Sequence, residues 1–179
     1  MHGIIFAELK KYVETRADAE AWRAILAGAG MPGKMYIAMK QYDDAELVAL
    51  VQSASAATGT PAAVLLKDFG AFIVPDLLKT YKAFMRPEWR TMDVLELTES
   101  HIHTKVRTMT KGAMPPFLEP KRISPSEVVI TYRSGRRLCP VAEGIIEGIA
   151  DHFGERIAMT HAKCMNRGDS ACELGVRLA

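Results

Sequence analysis

The sequence predicts an α+β fold, a helical N-terminal half packed on a mixed α/β half that ends in an antiparallel sheet. Three observations carry this expectation. Apolar residues recur at helical spacing through the first part of the chain. After "KGAMPP" the character changes, and "SEVVITY" is short and β-branched, as a strand is. The chain then closes on a strand, a turn and a strand: "ERIAMTHAKC", "MNRGDSA", "CELGVRL".

The elements follow in order. Ile5, Leu9, Tyr12 and Val13 share one face of a first helix. Asp18 caps a second, which bears Trp22, Ile25 and Leu26 and stops at Gly28 and Gly30. Asp43 and Glu46 stand at capping-box spacing before Leu47, Leu50 and Val51, and Gly59 ends that helix. Thr60 caps the next, with Pro61 at its first position. It carries Leu65, Leu66, Phe69, Phe72 and Ile73 and then meets Pro75, which kinks or splits it. A further helix runs from about Asp93 to Met109, with Leu95, Ile102, Val106 and Met109 as its apolar stripe. "PVAEGIIEGIADHFG" opens at Pro140 and closes at Gly154, a helix with Val141, Ile145, Ile149 and Phe153 on one face. The hinge between the halves is placed near Gly59, giving subdomains 1–59 and 60–179 within one domain over 1–179.

Composition narrows the class. The chain has 179 residues, 49% of them hydrophobic, with 23 basic and 21 acidic residues for a net charge of +2. A full core can be buried. The basic residues are scattered, the densest groups being "RPEWR" and "RSGRR", so no nucleic-acid partner is expected. No run approaches the ~18 apolar residues of a spanning helix. The opening "MHGIIFAELKKYVE" turns charged too soon for a signal peptide. A cytoplasmic protein without membrane contact is expected. Its three cysteines cannot close a disulfide framework among themselves.

Three constellations carry chemistry. "SHIHTKV" puts His101 and His103 on opposite shoulders of the stripe centred on Ile102, stepping about 100° per residue. Glu99 and Val106 flank His103, whereas Leu97, Thr104 and Lys105 flank His101. Periodicity leans only slightly to His103 and leaves the choice open. Cys164 and Cys172 flank the "NRGDS" turn, His161 stands three residues before Cys164, and Cys139 precedes a helix. Three thiolates and one imidazole suit a closed tetrahedral zinc site with a structural role; ordinary buried cysteines are the alternative. In "TYRSGRR", Tyr132, Ser134 and Arg136 alternate, so an extended chain turns all three to one side. They can hold a carboxylate; a hairpin turn at Ser134–Gly135 with solvated arginines is the alternative.

Taken together, these residues resemble the heme–nitric oxide/oxygen binding family, the H-NOX domains, which also form the heme-sensing part of soluble guanylate cyclase. The likeness extends over essentially the whole chain and points to the bacterial standalone branch. "MHGIIFAEL" is similar to the family's opening helix. "ESHIHTKVRTMTKGAMPPFL" resembles its proximal segment, and aligning Met109, Lys111-Gly112 and Pro115-Pro116 places the iron ligand at His103. "YRSGR" matches the Tyr-x-Ser-x-Arg motif that grips heme propionates: Tyr132, Ser134 and Arg136. "AEGIIEGIADHFG" and "CMNRGDSAC" resemble the C-terminal half, and the Cys139, His161, Cys164, Cys172 set resembles the structural zinc site of a bacterial branch.

The resemblance implies heme b between the two subdomains, five-coordinate and ferrous on His103, with Pro116 against the porphyrin. Dioxygen-binding members place a tyrosine five residues past the motif arginine; here that position is Val141. The other residues aligned to the distal wall, Ile5, Leu9, Ile73, Leu77 and Ile145, also lack a donor. Bound dioxygen gathers negative charge and needs one, so the implied sensor takes nitric oxide and carbon monoxide and excludes dioxygen. Tyr12, Tyr36, Tyr42, Tyr81, Trp22 and Trp89 are the donors elsewhere that would overturn this if one reached the ligand. The resemblance further implies weakening of the iron–His103 bond by nitric oxide, a shift of the two halves, and output in trans to a histidine kinase or a cyclic-di-GMP enzyme, without catalytic residues. A heme-free small-molecule module of the vinyl-reductase type, which shares the "RGD…C" ending, is the rival class. A heme peroxidase would need a distal acid–base pair, and the aligned wall has none.

Overall fold

The computed structural model describes residues 1–110 and 112–179; Lys111, used above to align the Lys-Gly pair, lies outside them. The backbone forms two compact units, Met1–Phe69 and Gly70–Ala179.

The first unit is helical: α1 (Gly3–Arg16), α2 (Ala19–Gly28), α3 (Asp44–Thr58) and most of α4 (Ala62–Phe72). Asp18 caps α2 by accepting from the Ala21 amide at 2.8 Å. Asp43 caps α3, taking the Ala45 amide at 2.9 Å. The capping box drawn with Glu46 is replaced by other contacts, because that carboxylate accepts from Tyr36 at 2.9 Å and pairs with Lys34. Gly59 ends α3 at φ +68°, a conformation that favours glycine. Phe6, Trp22, Leu47, Leu50 and Phe69 are almost wholly buried, each worth roughly 1.5–3 kcal/mol.

In the second unit Pro75 splits the predicted long helix. α4 stops at Phe72 and α5 (Val74–Tyr81) starts afresh with the proline in its first turn. The Asp93–Met109 helix comes in three pieces: α6 (Thr91–Leu97), a π-helical turn (Thr98–His103) and α7 (Thr104–Met109). Its stripe is buried at Leu95 and Ile102 but open at Met109, which is 70% exposed. The wider turn rotates the residues beyond it off the α-helical phase.

The sheet is antiparallel, ordered β1-β2-β4-β3, from β1 (Phe117–Ser124), β2 (Glu127–Arg133), β3 (Ile157–Lys163) and β4 (Cys172–Leu178). Val128, Ile130 and Tyr132 of β2 and Cys172, Leu174 and Val176 of β4 present one buried face. It shares a core with Val94 and Leu95 of α6 and with Ile146 and Ile149 of α8 (Cys139–His152). Two glycines admit close packing onto α8. A Cβ on Gly70 would stand 2.3 Å from the Val141 carbonyl oxygen, and one on Gly148 would stand 2.7 Å from Val74 Cγ2. Among the described residues, no single helix is long and apolar enough to cross a membrane.

Candidate functional site

The π turn brings the two histidines into different settings. His101 meets the indole of Trp89 edge-on at 5.2 Å between centroids, with Ser100 Oγ 2.9 Å from its Nδ1. The His103 side chain is 16% exposed, and its Nδ1 lies 3.1 Å from Glu99 Oε2. A carboxylate there favours the tautomer in which Nδ1–H donates to Glu99, leaving the lone pair on Nε2. Burial holds the His103 imidazole below its ordinary value, against the opposite pull of Glu99.

Glu99 is a junction. Besides His103 it accepts from Arg107 Nη1 at 2.6 Å and from the Leu118 amide at 3.1 Å. Arg107 Nη2 also donates to the Pro116 carbonyl at 3.1 Å. Burial works to raise the Glu99 carboxyl, but the bonds from Arg107, Leu118 and His103 prevail and hold it low. One side chain thus ties the π turn, α7 and the start of β1.

Tyr132, Ser134 and Arg136 stand where β2 hands over to α8, so the turn at Gly135–Arg136 joins strand to helix and is not a hairpin. Tyr132 is buried, which pushes its phenol up to about 12, against a hydrogen bond with Ser134. Ser134 Oγ accepts from the Arg136 amide at 3.3 Å, and the Arg136 guanidinium donates to the Met114 carbonyl at 2.6 Å. Arg137 adopts φ +52°, which turns the chain into α8.

Of the residues aligned to the distal wall, Ile73 and Leu9 are buried, whereas Ile5, Leu77, Val141 and Ile145 are half-buried. Pro116 is half-buried before β1. Two of the candidate hydroxyls already donate elsewhere, and a third is engaged as an acceptor. Tyr12 donates to Asp68 at 2.7 Å and Tyr36 to Glu46 at 2.9 Å, and Tyr42 Oη accepts from the Ile37 amide at 2.7 Å.

Cys139, His161, Cys164 and Cys172 converge, their ligand atoms all within 4.8 Å of one another. Cys139 opens α8, Cys172 opens β4, and a register shift between His161 and Lys163 re-aims the end of β3. The Cys139 and Cys164 sulfurs are 3.7 Å apart; thiolates about 2.3 Å from one tetrahedral zinc stand about 3.8 Å apart. His161 Nε2 is buried without a partner, while its Nδ1 is engaged by Glu143 at 2.5 Å. The Asn166 amide donates to Cys139 Sγ at 3.2 Å, and the Met165 backbone to Cys172 Sγ at 3.3 Å. Burial and the neighbouring thiols push the Cys139 thiol up. At Cys164 burial also pushes upward, but amide donors overcome it and hold that thiol down. An orphaned imidazole nitrogen amid three thiols fits a divalent soft-ligand ion such as zinc.

Sequence reasoning placed Glu99 beside His103 without giving it a role and did not single out Glu143. The signal for Glu143 was available: it stands one helical turn after Cys139, on the same face of α8.

A helical unit followed by a helix-backed antiparallel sheet, with a carboxylate-held helix histidine beside it, defines a known class. The family model described as haem-NO-binding matches residues 2–161, and the chain belongs to this family, the H-NOX heme gas-sensor domains. The structure of an H-NOX protein from S. oneidensis in the Fe(II)NO state is similar at TM-score 0.92 and 26% identity, covering 100% of this chain and 99% of that one. The NMR structure of a Shewanella oneidensis H-NOX domain in the Fe(II)CO state has TM-score 0.88 at 26% identity, covering 100% and 99%. A mutant T. tengcongensis H-NOX shares the fold, at TM-score 0.88 and 19% identity over 99% and 97% of the chains. No curated protein matches.

The residues present fit a heme. A neutral imidazole with its Nδ1 held is a suitable axial ligand. Ser134 bonds both Tyr132 and the Arg136 backbone, which draws together three side chains that can donate to a carboxylate.

Proposed function

We propose that this chain is a nitric oxide sensor that holds ferrous heme b on His103 and excludes dioxygen. Bound heme supplies the iron that takes the diatomic ligand. His103 is the axial ligand, Tyr132, Ser134 and Arg136 hold the propionates, and Pro116 packs on the porphyrin. Ile5, Leu9, Ile73, Leu77, Val141 and Ile145 form the distal wall. Cys139, His161, Cys164 and Cys172 hold a structural zinc ion. The chain has no catalytic role of its own. Its output is a conformational shift of the His103 segment, passed to a partner in trans, a histidine kinase or a cyclic-di-GMP enzyme. It works in the cytoplasm.

The observation that carries the reading is the hydrocarbon character of every residue assigned to the distal wall. A hydrogen bond to a charged acceptor contributes about 1.5–3 kcal/mol. Bound dioxygen needs that contribution and nitric oxide does not. The engaged hydroxyls of Tyr12 and Tyr36 support the same reading.

The test is the absorption spectrum of the reduced protein in air, under carbon monoxide and under nitric oxide. Complexes with the last two and none in air are expected, and Val141→Tyr should slow dioxygen loss if the phenol points inward. A stable dioxygen complex of the unmutated protein overturns the selectivity. His103→Ala should lose heme or need added imidazole, whereas His101→Ala should keep the parent spectrum. A colourless protein that takes up no heme favours the rival binding module.

A further inference from the structure

The Glu99 junction has no part in the ligand set described above, yet its carboxylate touches the one side chain that meets the iron. A carboxylate on the outer nitrogen of a ligating histidine does two things. It fixes the tautomer, and it shares its charge with the ring, which makes the inner nitrogen a stronger donor. Here the charge is divided. Oε2 faces His103 Nδ1 at 3.1 Å, and Oε1 receives the Arg107 guanidinium at 2.6 Å. A guanidinium so close draws carboxylate charge toward itself and away from the imidazole.

We infer that Glu99 and Arg107 form an opposed pair that sets the strength of the His103–iron bond, Glu99 strengthening it and Arg107 moderating it. The inference rests on the reading of His103 as the axial ligand. Both are positioning residues, because neither reaches the porphyrin side of the imidazole. The arrangement also has a route outward. Arg107 Nη2 holds the Pro116 carbonyl and Glu99 holds the Leu118 amide, so the bond strength at His103 and the seating of the Pro116–Leu118 segment depend on the same two side chains. A heme sensor that reports through its proximal histidine needs that bond weak enough to yield to nitric oxide and strong enough to hold otherwise. A divided carboxylate sets such an intermediate value.

The test is resonance Raman spectroscopy of the ferrous, heme-loaded full chain, which reads the iron–histidine stretch directly. Glu99→Gln keeps shape and an acceptor for Nδ1 but removes the charge, so the stretch should move to lower frequency. Arg107→Ala leaves the whole charge to His103, so the stretch should move to higher frequency. Under nitric oxide the fraction of protein retaining the His103 bond should fall in the first variant and rise in the second. Thermal unfolding confirms that both are folded; if Glu99→Gln is not, Glu99→Asp, which pulls the charge back from the ring, should give the same downshift. A merely structural role would move both variants the same way or neither, and either result overturns the inference. An iron–histidine stretch absent from the unmutated protein, or surviving in His103→Gly without added imidazole, overturns instead the assignment on which it rests.

Discussion

Glu143 Oε1 stands 2.5 Å from His161 Nδ1, and the opposite nitrogen of that ring lies buried among three thiols. The carboxylate selects the tautomer that turns a lone pair toward the sulfurs. It also anchors the ring from the same helix that supplies Cys139.

The metal reading follows from that contact. Elemental analysis of the purified protein should find one zinc per chain apart from heme iron. Glu143→Ala should lower zinc affinity on the order of 10–100-fold, as loss of such outer partners does, measured by competition with a chelator. Cys172→Ser should lower the melting temperature and leave the heme spectrum nearly unchanged. Zinc-free protein with full stability would return the cysteines to ordinary buried residues.

At the turn into α8 the arginines should divide their tasks. If Arg136 is the fork-shaped partner proposed for the propionates, Arg136→Ala should speed heme loss to a scavenging globin about tenfold or more. Arg137 sits at φ +52°, so Arg137→Gly should leave heme retention unchanged and keep or slightly raise stability. Equal heme loss from both variants would dismiss the propionate role.

Close packing on α8 gives a stability test. Gly70→Ala would press a Cβ to 2.3 Å from a backbone oxygen of Val141, and Gly148→Ala would press one to 2.9 Å from that of Ala71. Backbone yields poorly, so each should cost about 1–3 kcal/mol in urea unfolding. Gly135→Ala meets nothing within 4 Å and should stay within about 0.5 kcal/mol of the parent.

Acid stability should depend on Glu155. Burial raises its carboxyl, but bonds from Thr91 and Arg90 outweigh that and hold it low; Oε2 accepts the Thr91 amide at 3.2 Å at the start of α6. A depressed carboxylate contributes stability that is full above its unfolded value, about 4.3, and is lost as pH falls through the folded one. Arg90 is well exposed, so the contribution stays below about 1 kcal/mol. Glu155→Gln should unfold more easily than the parent at pH 7, with the gap closing as pH drops below that window. A gap that persists at low pH would assign the effect to packing.

Where local rules act alone, the sequence was readable. Asp18 and Asp43 cap where their side chains dictate, and Pro75 breaks the helix because it lacks an amide hydrogen. β1 escaped notice because "FLEPKRIS" carries Pro120 and three charges. Those residues are tolerable only on an edge strand, and β1 is one. Periodicity ranks His103 only slightly ahead of His101, because a 100° wheel assumes α geometry through residues 98–103, where the helix is wider. Three members of the thiol–imidazole set could be read from one turn, whereas Cys139 joins them only through the packing of α8 on the sheet.

The π-helical turn has a consequence for how the chain can change in length. Such a turn is an α-helix that has taken in one residue too many, and the span Thr98–His103 holds that surplus. Deleting Ser100 would close the turn to α geometry while α6 and α7 keep the faces they now present. The same deletion inside α6 would spin everything after it by about 100° and carry Glu99 and His103 together away from the Leu118 amide that Glu99 now holds. Descendants of this chain can therefore shed a residue at this one turn while His103 keeps the face it now presents.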